Sequence, residues 1–247
     1  MNITKKQKKN KRMKIKFIVV ISLFLLSHIS TAQNKSDKLM VSGALSNVMK
    51  KGQLKSTIFL DSISNKKNLY GLGPKHYLTG ELLIVDGRSF VSSIDENQEI
   101  KMEETFHVKA PFFVYTNVTS WNSEKLPKKI TSMQELEQYL VEKSKVYKGP
   151  FAFRLKGVFK KINFHIQNLP EGTQVKSYKD AHQGQKKYLR KNVEGEIIGF
   201  FSTQHQGVFT HHNQYIHIHF INKNRTEMGH IDELKFSKNS QVKLYLP

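Results

Sequence analysis

Apolar and polar residues alternate strictly in Tyr215-Ile216-His217-Ile218-His219-Phe220. Because successive side chains of a β-strand point to opposite faces, this pattern predicts a strand with one face in a core and both histidines on the other face. The polar, turn-rich segment Asn222-Lys223-Asn224-Arg225 follows, and Met228-Gly229-His230 comes next. We therefore predict an antiparallel β-hairpin that brings His230 beside the first two histidines.

Three neutral imidazole nitrogens on one rigid sheet would suit a divalent ion such as zinc. A single histidine in a sheet is more often an ordinary polar residue, so the third histidine carries the prediction of a metal site. Among nearby histidines, the alternation puts His211 on the ligand face and His212 on the opposite face, and His205 is a further neighbour. His211 is thus the best candidate for contact with the ligands. The predicted ligands are His217, His219 and His230.

The amino terminus has the pattern of a secretory signal peptide. Eight basic residues and no acidic one lie within the first sixteen residues, an apolar run covers residues 17–26, and Ser30-Thr31-Ala32 offers small residues at the cleavage positions. The run is shorter than the roughly 20 residues of a membrane-spanning helix. We predict a signal peptide at residues 1–32, export to the periplasm or the medium, and no stable membrane span after cleavage.

The mature chain is moderately basic and has no cysteine. Loss of the leader lowers the formal charge from +20 to +12. Its lysines are scattered in pairs instead of forming one stripe with aromatic residues, so no nucleic-acid partner is expected. The charge favours small anionic substrates. The absence of cysteine excludes disulfides, thiolate metal sites and a cysteine nucleophile.

The rest of the mature chain is rich in predicted strands. Helices are predicted at residues 36–51 and 132–145, the second with a capping box of Ser132 and Glu135. The few helical crossovers favour an α+β fold of mostly antiparallel or mixed sheets with a few flanking helices. A short echo between segments 77–83 and 188–198 suggests two related sheet units, about 33–148 and 149–247, within a single domain at 33–247. The predicted strands are 56–60, 81–85, 112–118, 151–166 with a break, 195–201, 215–222, 228–236 and 241–246.

Several segments, taken in order along the chain, resemble the alpha-acetolactate decarboxylase family. Besides the three histidines, they include Leu78-Thr79-Gly80-Glu81, the run at residues 112–121, Pro150-Phe151-Ala152-Phe153-Arg154, and the run at residues 192–200. The resemblance covers most of the mature chain. It implies that the three histidines bind zinc and that Glu81 and Arg154 are active-site residues, and it suggests a homodimer.

The resemblance also implies a reaction, the metal-dependent decarboxylation of 2-acetolactate, a small anionic 2-hydroxy-3-oxo acid, to acetoin and carbon dioxide. Zinc would be the electron sink for the enediolate that forms. Arg154 would offer its planar guanidinium to the carboxylate or the enediolate, and Glu81 would relay the proton. Without the resemblance, Glu81 would be expected to face solvent, and Arg154 could equally be a structural ion-pair partner.

One element of the family is missing, and two other functions remain open. The family's site also receives a glutamate from near the carboxyl terminus, whereas residues 242–247 contain no acid. His211 or Glu227 could take its place, or the position could be empty. The alternatives are a secreted metal-binding or ligand-binding relative without activity, and a cupin-like metalloenzyme. The cupin motif needs a glutamate where Lys223 and Asn224 stand.

Overall fold

Antiparallel sheets dominate the computed structural model, which describes residues 38–247. The predicted signal peptide lies outside the described residues. In chain order the strands are β1 (Met40–Ser42), β2 (Ile58–Phe59), β3 (Leu69–Pro74), β4 (Glu81–Val85), β5 (Arg88–Ile94), β6 (Ile100–Glu104), β7 (Lys109–Ala110), β8 (Phe113–Asn117), β9 (Asn122–Lys125), β10 (Phe151–Ile166), β11 (Lys186–Phe201), β12 (Ile216–Asn222), β13 (Met228–Lys235) and β14 (Lys243–Leu246).

Two of the sheets have six strands each. The first has the order β1-β8-β3-β4-β5-β6, and the second has the order β11-β12-β13-β10-β14-β9. In the second sheet β10 also pairs along its length with β11, so β10, β11, β12 and β13 close into a ring. A small third sheet pairs β2 with β7. The predicted α+β class with mostly antiparallel sheets is confirmed.

Only a few helices accompany these sheets in the described chain. They are α1 (Leu45–Lys51), α2 (Met133–Tyr147) and α3 (Tyr178–Ala181), with short 3-10 turns at Leu60–Ser62 and His76–Leu78. None of the helices within residues 38–247 is long and apolar enough to cross a membrane. The first sheet takes its strands from residues 40–117 and the second from residues 122–246. The limits predicted for the domain and its two sheet units stay a prediction.

One of the two predicted helices is confirmed, and the other is correct only in its second half. For α2, Ser132 and Glu135 form the expected reciprocal capping box, and the helix ends at Lys148 in a left-handed conformation. The prediction for residues 36–51 was wrong in its first half, because Met40–Ser42 pairs with β8 as an edge strand. Gly43, with φ of +69°, then turns the chain, and the helix begins only at Leu45.

The two large sheets pack face to face through a shared apolar cluster. Leu72, Leu83 and Val114 of the first sheet meet Ile198 and Phe200 of the second. The alternation in β12 places Ile216, Ile218 and Phe220 in a separate core of the second sheet. His217 and His219 point the other way, into the interface between the sheets, so the predicted metal ligands lie where residues of both sheets can reach them.

Candidate metal centre

The structure brings the three predicted ligands together on two paired strands. His219 lies directly opposite His230 in the register of β12 and β13, and His217 precedes His219 by two residues on the same face. His217 Nε2 is 3.1 Å from His230 Nδ1. One ring nitrogen from each of the three histidines lies within 4.8 Å of the others. All three side chains are buried.

The ring nitrogens are arranged as metal binding would require. The His217 Nδ1–H donates a hydrogen bond to the Phe209 carbonyl at 2.8 Å, so in the neutral ring Nε2 carries the free lone pair. The His219 ring is fully buried, and its Nε2, which faces Glu81, has no hydrogen-bond partner among the described residues. Buried polar atoms of this kind are usually satisfied. A cation shared by the three rings would use these lone pairs, so the residues present fit a divalent ion.

Burial keeps the three imidazoles neutral. It lowers the pKa of His219 to about 3, and it lowers the pKa values of His217 and His230 well below the ordinary value. Neighbouring histidine rings lower these pKa values further. A metal ion binds the neutral imidazole, so the ligands need no deprotonation at neutral pH.

Gly229 allows the strand that carries His230 to approach its neighbour. A Cβ at this position would lie 2.4 Å from the His165 carbonyl oxygen and 2.7 Å from Phe164 Cδ2. Both distances are far below van der Waals contact. The backbones of β13 and β10 therefore approach each other closely at Gly229.

Glu81 reaches this centre from the first sheet. Its side chain is buried, with Oε2 3.7 Å from His219 Nε2 and Oε1 accepting a hydrogen bond from the Gln167 backbone N–H at 3.2 Å. Burial raises the pKa of Glu81 well above its usual range, the Gln167 hydrogen bond opposes this rise, and the charge of Asp232 adds to it. The solvent-facing position expected without the family resemblance is not found.

Sequence reasoning missed a fourth histidine at the site, His165. It lies opposite His230 in the register of β10 and β13, which makes a cross-strand row with His219. Its Nδ1 is 2.8 Å from Asp232 Oδ1, and its Nε2 is 3.9 Å from Glu81 Oε1. His165 lies more than fifty residues before the three predicted ligands in the chain, so only the strand register could reveal this contact.

Glu81, His217 and His230 border a small cleft that is partly open to solvent. One wall is polar and histidine-rich, and the other is apolar. The polar wall consists of Glu81, His165, Gln167, His182, His211, His217 and His230, and the apolar wall of Leu45, Met49, Pro74, Leu78 and Phe112.

The two residues considered as substitutes for the missing glutamate lie in different parts of the structure. His211 lines the cleft, and its Nε2 is 3.3 Å from His230 Nε2. Burial lowers the pKa of His211 to about 4. Glu227 instead forms an ion pair with Arg190, away from the cleft-lining residues. Of the two, only His211 is in contact with the candidate metal centre.

Arg154 lies on the sheet face that carries the ligands but not in the lining of the cleft. It is opposite Ile198, which in turn is opposite His219. Its Nη2 is 2.7 Å from Glu196 Oε2, and its guanidinium lies over the Tyr245 ring. The Arg154 Nε is buried without a hydrogen-bond partner among the described residues. The guanidinium thus keeps one donor unused while it holds an ion pair.

Comparison with known proteins gives this site a family context. A family model described as "Alpha-acetolactate decarboxylase" matches residues 41–246. The chain is 25% identical over 197 residues to an alpha-acetolactate decarboxylase of Brevibacillus brevis, covering 77% of this chain and 64% of that protein. It is 26% identical over 167 residues to one of Lactococcus lactis subsp. cremoris, covering 65% of each. The chain spans slightly less than two thirds of the length of these curated relatives.

Solved structures share the fold. The alpha-acetolactate decarboxylase of Bacillus subtilis strain 168 superposes with a TM-score of 0.68 at 20% identity over 85% of both chains. A Staphylococcus aureus protein of unknown function, described as similar to alpha-acetolactate decarboxylase, gives a TM-score of 0.70 at 21% identity over 85% of this chain and 84% of that one. At these identities, the likeness concerns the fold.

Proposed function

Since the chain belongs to the alpha-acetolactate decarboxylase family, we propose that it decarboxylates 2-acetolactate to acetoin and carbon dioxide with the help of a bound metal ion, for which zinc is our candidate. The observation that carries this proposal is the buried cluster of three neutral histidines with a buried glutamate beside it, at the edge of one small cleft.

His217, His219 and His230 would hold the metal ion. A zinc ion bound there would supply Lewis acidity for the electron pair that remains when carbon dioxide leaves. The protein itself supplies burial and orientation, because the Phe209 carbonyl fixes the tautomer of His217 and the paired strands fix the two other rings. A site held in this way needs little rearrangement when the ion and the substrate bind.

Glu81 is our candidate for the group that handles the proton. Loss of carbon dioxide breaks a carbon–carbon bond and leaves an enediolate, and one proton must then be added to carbon in each turnover. Glu81 lines the cleft, and a carboxyl group in that position can deliver the proton to one face of the enediolate. The Gln167 N–H holds one carboxyl oxygen and thereby orients the group.

Arg154 is our candidate for a cationic partner of the substrate's carboxylate or of the enediolate. Glu196 holds one end of its guanidinium, and the unpartnered Nε leaves it a further donor. Arg154→Lys keeps the charge but loses the fork-shaped donor set. We therefore expect the lysine variant to be a poorer enzyme than the wild type while its metal content is unchanged.

The test of the proposal compares Glu81→Gln with the wild-type protein, both loaded with zinc. A positioned acid or base contributes about 10²–10⁴-fold to a rate, so we expect Glu81→Gln to lose acetoin formation by this order. Its metal content should stay the same. Glu227→Gln is the matched control, because Glu227 is ion-paired with Arg190 outside the cleft lining. Full activity in Glu81→Gln would remove Glu81 from the reaction.

A second candidate function is that of a metal-binding or ligand-binding relative without catalytic activity. The specific observation in its favour is the pairing of Arg154 with Glu196, which occupies part of the guanidinium. The two functions differ in one measurable respect. If the zinc-loaded wild type forms acetoin no faster than a buffer with free zinc, while it binds zinc and small hydroxy acids, the second function is the right one.

A further inference from the structure

Two of the five apolar residues that line the cleft come from one short helix. Leu45 and Met49 lie four residues apart on α1, so they share one face of the helix, and both are buried. The first N–H groups of α1 donate hydrogen bonds to the carbonyls of Val208 and Gly207, both at 2.8 Å. The loop that carries His211 therefore holds α1 in place against the cleft.

The other members of the wall are fixed by backbone and ring contacts. Tyr77 and Leu78 are successive residues in the left-handed region, with φ of 58° and 56°. The Leu78 N–H donates to the Lys75 carbonyl at 2.9 Å, which helps to hold this unfavourable backbone and directs Leu78 into the cleft. The Phe112 ring centroid is 5.9 Å from that of His217. The backbone at Leu78 is therefore held in place, and the Phe112 ring lies beside His217.

Met49 has a long unbranched side chain, so its truncation to alanine would remove three heavy atoms from the apolar lining. It lines the cleft, and its exposure is only 4%. The other lining residues are polar, and they include histidine rings that would hold the metal ion and the Glu81 carboxyl. A 2-hydroxy-3-oxo acid that turns its oxygens to the metal ion and to Glu81 would place its alkyl groups toward the apolar lining.

We propose that Met49 limits the size of the C2 alkyl group that the cleft accepts on a 2-hydroxy-3-oxo acid. This inference rests on the proposed function, since it assigns the substrate's orientation at the same site. A hydrophobic pocket discriminates one methylene by about 10–200-fold. Shortening Met49 should therefore change the preference between homologous substrates without moving the polar groups.

The experiment measures kcat/KM of zinc-loaded wild type and Met49→Ala with two homologous substrates, one with a 2-methyl and one with a 2-propyl group. We expect the ratio of the 2-propyl to the 2-methyl value to rise by at least about tenfold in the variant. Met40→Ala is the matched control, because Met40 is 45% exposed on β1 and is not among the cleft-lining residues. Its ratio should equal that of the wild type.

Two further arms make the result decisive. If Met49→Ala does not fold, Met49→Val takes its place, with a smaller change in the same direction. Calorimetric binding of 2-hydroxy-2-methylpropanoate and 2-hydroxy-2-methylpentanoate gives a readout without turnover, and the variant should gain affinity for the longer acid alone. An unchanged ratio in an active variant, or an unchanged binding preference, overturns the role of Met49. Absence of turnover in the wild type overturns the proposed function instead.

Discussion

Replacement of Gly229 by alanine tests whether the packing of β13, the strand that carries His230, affects zinc affinity apart from its effect on the stability of the fold. The new Cβ would lie 2.4 Å from the His165 carbonyl oxygen, whereas Cβ contacts under 3.0 Å essentially never occur. The strands β13 and β10 must then move apart by several tenths of an ångström. Ligand distances in a metal site tolerate only about 0.2 Å, and His230 is the next residue. We expect Gly229→Ala to lose about 10–100-fold in zinc affinity, as changes beside ligands commonly do.

Gly195→Ala is a closely matched control for this prediction. Its Cβ would lie 2.4 Å from the Ile221 carbonyl oxygen and 2.6 Å from Phe220 Cε2, which is nearly the same crowding as at Gly229. Gly195 is opposite Asn222, at the end of β12 away from His217. Overpacking of this kind costs about 1–3 kcal/mol, so both variants should be destabilised in urea unfolding of the metal-free proteins.

Zinc affinity is measured by competition with a chromophoric chelator at a temperature where both variants are folded by circular dichroism. If the spacing of β13 and β10 sets the ligand geometry, only Gly229→Ala loses zinc affinity. Equal affinities in the two variants, whether both normal or both weakened, would refute the reasoning, because the metal site would then be insensitive to the spacing of β13 and β10 or sensitive only to overall stability.

Three other predictions concern the ligands, a helix cap and the amino terminus. His219→Ala should contain less metal than wild type by elemental analysis, because it removes one of three ligand nitrogens, and equal content would exclude His219 as a ligand. Ser132→Ala should lower the free energy of unfolding by about 1 kcal/mol through loss of the α2 cap, with metal content unchanged; no shift of the urea midpoint would contradict this. We propose that the protein is exported and cleaved after Ala32. Mass spectrometry should show that the native protein lacks residues 1–32, and an intact leader would disprove this.

The sequence predicts local patterns of this fold better than long-range ones. The alternation at residues 215–222 led to β12 within one residue, because one face of that strand enters an apolar core and the other carries histidines. The capping box of α2 was equally local. In contrast, β3 was missed because Gly71, Gly73 and Pro74 suggest a turn. The two glycines are needed there because Phe113 packs directly on them.

For the candidate site, too, the sequence predicted the local pattern but not the long-range contacts. The three histidines lie within fourteen residues, so one hairpin was enough to bring them together. Glu81 was found only through the family resemblance, since nothing local shows that the two sheets pack face to face. His165 depends on the register of β10 against β13, and Met49 on the position of α1 over the cleft. Such contacts are set by tertiary packing, which a single sequence does not display.

The pairing of Arg154 with Glu196 bears on a question that the sequence left open. From the sequence alone, an active-site role and a structural ion pair were both open for Arg154. The structure has the ion pair, at 2.7 Å, and an unused Nε donor on the same guanidinium. A guanidinium has five donors, and Glu196 engages only part of them. The structure thus has the ion pair, and the active-site role of Arg154, which is not among the cleft-lining residues, stays a proposal.

The central claim is that this chain is a metal-dependent decarboxylase. Its most direct test is to incubate the purified protein with racemic 2-acetolactate and to follow acetoin before chelation, after chelation and after the return of zinc. We predict that acetoin formation is fast at first, falls to the background of the buffer when the metal is removed, and recovers when zinc is restored. Acetoin formation that never exceeds the rate in buffer with free zinc, or that is unaffected by removal of all bound metal, would contradict the account.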